Sequence, residues 1–421
     1  MKIRKLHIIL IGLLIATMLA SCSSTGSSPS APSSGTEGGQ NSPTPGTTKN
    51  YPQGVTDTEI VIGMTGPQSG PQAVGDSSRK AAESYLKYVN ENGGVNGRKI
   101  RLVAYDNMFE PTRNVQMMKK LVEEDKVYAI VGALGTVANL ATVDYIKQKG
   151  IPQIMIGSGS GKLVDPPVRN ILGLGILNYG IEGKILLEYA VNNIGAKKLA
   201  IAYQADDVGK EPFEAIKASI GQYAGVEIVT EVSFQGTDTE LSAQAQRIQQ
   251  AKPDAILSFG LPAPTANLKK ELYNIGMKDV PFLMSNGGAQ IFQLAAPEIW
   301  EGAISTSPFP MPGESDDESL QLYMERFPKD YPNEPVGLYS QSGWAMMEVF
   351  IEGLRRAGDD LYWENLLNTF YTFDKWDGSM FAGISFNENN HYGTTSAYLV
   401  QARGGKFVQI GDIITADPSA K

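Results

Sequence analysis

From about residue 55 onward, short apolar runs alternate with longer amphipathic stretches. Ile60–Met64, Ile100–Tyr105, Val127–Val131 and Gln153–Ile156 have strand length and little polar alternation, and each ends in a polar turn. Such runs, separated by crossover helices, predict parallel strands buried on both faces. Ala82, Tyr85, Leu86 and Val89 recur at helical spacing, in a helix that Asp76 or Ser77 caps and that ends near Asn90 before Gly93-Gly94. A second helix starts near Pro111 and is lined by Val115, Met118 and Val122; a third runs from about Val137 to Lys149.

After Ile171-Leu172-Gly173 the rhythm begins again. Helices are predicted at about 179–193, from Asp206-Asp207 to about Tyr223, at 239–250 and at 266–275. Between them lie the strands Leu199–Tyr203, Glu227–Phe234, Ala255–Phe259, Phe282–Met284 and Ala303–Thr306. Pro308, Pro310, Pro312 and Gly313 then mark a long connection. Helices near 315–328, 339–357 and 362–369 follow, and strands at 396–401 and 406–410 close the pattern. The fold class is α/β: two doubly wound lobes facing a cleft.

In such sheets ligands bind outside the carboxyl ends of the strands. The turns after Val131 and Ile156 are rich in glycine and small hydroxyl residues: Gly132-Ala133-Leu134-Gly135-Thr136 and Gly157-Ser158-Gly159-Ser160-Gly161. Backbone N–H groups and hydroxyls at a helix start suit an anion. Gly135, Thr136, Ser158, Gly159 and Ser160 are therefore candidate ligand-binding residues. The competing assignment is helix capping and tight turns, ordinary work for these residue types.

Composition narrows the chemistry. The 421 residues carry a net charge of −9 and no basic run outside the extreme N-terminus, which argues against a nucleic-acid partner. One cysteine, Cys22, and two histidines, His7 and His391, leave no disulfide framework and little for a metal site, so no cofactor is expected. No P-loop, dinucleotide fingerprint or zinc-protease motif occurs. The 157–161 turn is not a nucleophile elbow, because His391, expected to be exposed in a polar turn, is the one available base. No catalysis is expected.

Lys2, Arg4 and Lys5 precede an apolar run from Ile8 to Ala20, too short for a comfortable membrane span. The run ends in Leu19-Ala20-Ser21-Cys22, which resembles the bacterial lipoprotein signal box. That resemblance implies a signal peptide over 1–21 and a lipid on Cys22 that anchors the chain at a membrane surface. Residues 22–54, rich in Ser, Gly, Pro and Thr, read as a disordered tether with a reach of about 30 Å.

The folded part resembles a known family. Gly66-Pro67, Gly75-Asp76, Asn92 to Arg98, Tyr105-Asp106-Asn107, Gly150-Ile151-Pro152, Phe386 to His391 and the 399–408 hairpin together look like the leucine/isoleucine/valine-binding proteins. These are type I periplasmic-type solute-binding proteins of ABC importers. The resemblance covers about 56–411. It implies two lobes joined by a three-crossing hinge, 55–174 with 308–382 and 175–307 with 383–421. It also implies a small-molecule solute held between them, and a permease and an ATPase as partners. In amino-acid binders of the family the first lobe holds the ligand carboxylate at turns matching Gly135-Thr136 and Ser158 to Ser160. The second lobe departs from the pattern. An acid often follows the last parallel strand and meets the ligand ammonium, but here the turn is Ser285-Asn286-Gly287-Gly288. Where an aromatic often stands, this chain has Val208.

Either Asp206 or Asp207 takes over the amine, with Asn286 beside it, or the ligand has no α-ammonium; helix capping is the plain alternative for both acids. Tyr339, Gln341 and Trp344 open a helix that also reaches toward the cleft, although aromatics on a buried helix face belong as a rule to the core. The expectation is a monomeric, extracytoplasmic, lipid-anchored solute-binding protein of an ABC importer. Its solute is a branched-chain or other amino acid, or else an amide or an aromatic or aliphatic carboxylate. A ligand-sensing receptor module is the rival.

Overall fold

Two sheets built from the repeated strand–helix rhythm organise the molecule. The computed structural model describes residues 50–285 and 289–416. The expected signal segment, Cys22 and most of the expected tether lie outside them, as does Asn286. The tether expected over 22–54 gives way to folded chain before its end. Tyr51 donates to Asp57 at 2.5 Å, and Gly54 accepts from the Val61 N–H at 2.8 Å.

The first sheet comprises β1 (Glu59–Gly66), β2 (Lys99–Asp106), β3 (Ala129–Val131), β4 (Gln153–Ile156) and β5 (Ile171–Leu174). Its order is β2-β1-β3-β4-β5, and every neighbouring pair is parallel. Every residue of β3, β4 and β5 is buried, because helices cover both faces, which is why these runs show no polar alternation. The second sheet contains β6 (Lys198–Gln204), β7 (Glu227–Phe234), β8 (Ala255–Phe259), β9 (Phe282–Met284) and β10 (Ile304–Ser307). A small hairpin, β11 (Ser385–Asn387) and β12 (Asn390–Gly393), precedes the closing strands β13 (Ser396–Arg403), β14 (Lys406–Gln409) and β15 (Ile414–Thr415). The second sheet runs β14-β13-β10-β9-β8-β6-β7, with β15 on β13, and β13 lies antiparallel to β10.

The helix Leu338–Ala357 returns to the first lobe and packs Trp344, Met346, Met347 and Phe350 into one core with Ile62, Met64 and Ile154. Trp344 is fully buried and donates to Glu348 Oε1 at 2.8 Å, so it is core, as an aromatic on this face should be. Glu348 also accepts from Ser319 Oγ at 2.5 Å and the Met380 N–H at 3.2 Å. Burial pushes this carboxyl up to about 7.

The chain passes between the sheets three times, after β5, after β10 and ahead of β13. The β11–β12 hairpin packs its Phe386 with Phe370 and Phe373 in the first lobe's core. The last passage thus falls at 393–396, beyond the 382/383 boundary read from the sequence. His391 is a correction: it is 1% exposed rather than open to solvent. Its Nδ1 lies 2.8 Å from the Ile171 carbonyl and its Nε2 2.8 Å from Tyr371 Oη, and burial pushes its pKa down.

The helix expected over 137–149 is instead two short ones, Thr136–Leu140 and Val143–Lys149. Between them the Thr142 hydroxyl bonds the Asn139 carbonyl at 3.0 Å, a local bond that competes with the helical ladder. The helix expected over 266–275 begins four residues earlier, with Pro262 in its first turn. Among the described residues no helix is long and apolar enough to cross a membrane.

Candidate functional site

The turns after β3 and β4 are held edge to edge by an extension of the sheet ladder. Leu134 and Gly157 form a parallel bridge, Gly157 N–H donates to Ala133 at 2.9 Å, and Gly135 N–H donates to Gly157 at 3.1 Å. Gly135 sits at φ +121, and a Cβ there would meet the Phe109 ring at 3.0 Å. Glycine is required for both reasons. The helix Thr136–Leu140 then starts at the mouth of a hollow at the strand ends of the two sheets, the usual place for a small-molecule site in such folds.

Gly135, Thr136, Gly157, Phe109, Leu134, Leu338 and Tyr339 line this hollow from the first lobe. Val208, Gly260, Leu261, Pro262, Met284 and Ser285 line it from the second, and Ile176 and Tyr179 lie at the passage between. The wall is predominantly aliphatic and aromatic. Phe109 is held there by an Asx-type turn, in which its N–H donates to Asn107 Oδ1 at 2.9 Å. Tyr339, grouped with the core aromatics on sequence grounds, faces the hollow instead. Burial pushes its phenol up to about 12, and its hydroxyl meets no partner among the described residues.

Thr136 is the polar centre of the first-lobe wall. Its Oγ1 lies 2.9 Å from Ser158 Oγ and 2.9 Å from Tyr179 Oη. Ser158 Oγ accepts from the Ser160 N–H at 3.1 Å, so its own hydrogen is available to Thr136. Burial pushes the Tyr179 phenol pKa up, keeping it a donor. Either hydroxyl of each pair can be the donor; in the arrangement where both neighbours donate, the Thr136 hydroxyl keeps its hydrogen for the hollow. In that arrangement the wall presents a hydrogen-bond donor suited to an acceptor such as a carboxylate.

The other residues singled out from the sequence are placed differently. Ser158 is fully buried behind Thr136 and supports it. Gly159 lies under the first crossing, where a Cβ would come within 2.4 Å of the Leu177 carbonyl and 2.6 Å of the Tyr179 ring. Ser160 donates to Glu211 across the lobes. Asp206 caps the helix Asp207–Ser219 by accepting from the Val208 N–H at 3.1 Å and also accepts from Gln204 Nε2 at 2.7 Å. Asp207 pairs with Lys162. The structure thus brings Gly135 and Thr136 to the hollow, sets Ser158 behind them, and turns Ser160, Asp206 and Asp207 to other partners. No acidic side chain lines the hollow among the described residues.

Sequence reasoning missed Phe109, Leu261, Pro262 and Met284. Phe109 had a local signal in the Asn107 turn. The others follow β8 or close β9, at the strand ends where ligands gather, but apolar residues there resemble ordinary core.

Comparison with known proteins places these features in context. A family model described as periplasmic binding protein matches residues 59–406. An amino acid binding protein of Pseudomonas aeruginosa is 26% identical over 255 residues, 59% of this chain and 67% of the relative. A Leu/Ile/Val-binding protein homologue of Brucella melitensis is 24% identical over 314 residues, 71% of this chain and 80% of the relative. Among solved structures, a fatty acid ABC transporter substrate-binding protein from Thermomonospora curvata superposes with a TM-score of 0.79 at 23% identity, covering 87% of this chain and 95% of that one. A branched-chain amino acid ABC transporter protein from Thermus thermophilus with bound valine gives 0.78 at 22% identity, covering 86% and 98%. At these identities the structures speak for the fold alone.

Proposed function

The chain belongs to the type I periplasmic binding protein family, in its leucine/isoleucine/valine-binding branch, and from that premise we propose that it is the extracytoplasmic solute-binding lipoprotein of an ABC importer, anchored through Cys22. The lobes close over one small solute in this hollow and hand it to a permease. The solute is predominantly apolar and carries a carboxylate or similar acceptor at the Thr136 turn, without an α-ammonium.

One observation carries this reading: among the described residues the hollow has the Thr136 hydroxyl on the first lobe and no acid on the second. A buried ammonium without a carboxylate partner is strongly unfavourable. The nearby acids are engaged, Asp206 as a cap, Asp207 with Lys162, and Glu211 with Ser160 and Gly161. The apolar lining suits an aliphatic or aromatic tail. A second reading, an amino acid as solute, draws on relatives named as amino-acid binders.

Paired ligands separate the two. Thermal unfolding is followed with leucine and with 4-methylpentanoate, which share a side chain and differ in the amine. A ligand that binds only the folded state raises Tm by mass action. Aliphatic and aromatic acids are expected to raise Tm where their amino-acid counterparts do not. A shift from leucine alone overturns the amine-free reading, and no shift from any acid, amide or amino acid overturns the assigned hollow.

A further inference from the structure

Among the contacts that tie the lobes together outside the hollow, two involve the helix Asp207–Ser219. The turn after β4 belongs to the first lobe, and the helix Asp207–Ser219 follows β6 in the second. Glu211 on that helix accepts the Ser160 hydroxyl and, at 2.8 Å, the Gly161 N–H. Next to it Lys162 pairs with Asp207. Ser160 is fully buried, and none of these four side chains lines the hollow. The Glu211 carboxylate is half-buried or more: desolvation raises its pKa, while the two donors from the opposite lobe pull it back. Taking a carboxylate out of water is tolerated where donors replace the water, and here both donors come from the other lobe. Separating the lobes would remove both at once.

We propose that Glu211 is a latch: its carboxylate, seated on the Ser160 hydroxyl and the Gly161 N–H with the Lys162–Asp207 pair beside it, holds the lobes closed without help from the solute. It thereby sets what fraction of the protein is closed before solute arrives. Hydrogen bonds to a charged group are the strong kind, so losing the latch lowers the closed-to-open ratio by about tenfold or more. Apparent affinity scales with the competent fraction, so every solute weakens by one common factor and their order is kept. Lys162 is well exposed and adds less. Ser160, read from sequence as a ligand contact, acts here on the partner lobe.

The test needs no solute. Protein stripped of bound compounds by unfolding and refolding is examined by small-angle X-ray scattering, as wild type, Glu211→Ala and Glu211→Gln. Glu211→Ala is expected to raise the radius of gyration. Glu211→Gln, which keeps volume and one acceptor oxygen, is expected to lie between, and carries the test if the alanine variant does not fold by circular dichroism. Folded variants that scatter like wild type overturn the latch, as does a wild type already as open as the alanine variant. A second arm compares the affinities of leucine and 4-methylpentanoate in each variant; a change in their ratio would mean that Glu211 touches solute, and the latch would fall while the assigned hollow stood.

Discussion

The two walls of the hollow use similar turn chemistry to opposite ends. On the first lobe, Ser158 Oγ and Tyr179 Oη both lie 2.9 Å from Thr136 Oγ1, and where both donate to it one hydrogen is left for the space. On the second, Asp206 spends its carboxylate on the Val208 N–H and the Gln204 amide, and the lining is mostly apolar, Val208, Leu261, Pro262 and Met284 with Gly260 and Ser285. Both walls lie at strand ends with hydroxyl or acidic residues in the turn, so position alone does not make a ligand contact. What decides is whether the neighbours of a polar group satisfy it or leave it one bond short. Deeper in the second lobe the contrast recurs. Lys269 is 2% exposed with its Nζ 4.9 Å from the centre of the Phe282 ring and no ion-pair partner among the described residues, whereas Glu348 in the first lobe is held by three donors.

The largest effect expected from breaking this contrast is at Thr136. Thr136→Val keeps shape and removes the donor, and should weaken the best carboxylate found in the thermal screen by about 1.5–3 kcal/mol, read by calorimetry. Unchanged affinity would remove the first-lobe wall from recognition.

Lys269→Met comes next. A buried cation with no ion-pair partner among the described residues is replaced by an apolar chain of similar length, and stability should rise by about 2 kcal/mol in urea melts at pH 7. Desolvation lowers the Lys269 pKa from 10.5 to about 8, so the unfolded chain binds the proton more tightly. The wild-type deficit is therefore complete below pH 8 and shrinks as pH rises from about 8 toward 10.5. A variant less stable than wild type at pH 7 would show that Lys269 has a partner.

Asp206→Ala should have the smallest effect, a loss of about 1 kcal/mol from the helix cap with no change in solute affinity. Loss of binding confined to amine-bearing solutes would instead make Asp206 an amine partner, and the asymmetry of the two walls would disappear.

The parallel strands were legible because burial on both faces leaves an uninterrupted apolar run, as in Ala129–Val131 and Ala255–Phe259. The β11–β12 hairpin was not: Asn387, Glu388, Asn389 and Asn390 read as a polar turn, and only packing of Phe386 and His391 against the first lobe makes it a structural element. Gly135 and Thr136 were legible as facing the cleft, since both follow the end of a buried parallel strand. Ser160, Asp206 and Asp207 looked equally eligible, because their actual partners, Glu211, the Val208 N–H and Lys162, include residues far off in the chain.

The amino-acid order by itself determined the α/β class, the doubling of the strand–helix rhythm, the turns that face the cleft and the lack of an acid after β9, for these depend on local spacing and residue type. The tertiary structure alone decided which polar groups remain unsatisfied at the cleft and which ones join the two lobes. A hydrogen bond needs its partner within about 3 Å, and for Thr136 and Glu211 that partner is brought in by the fold from 22 to 51 residues away.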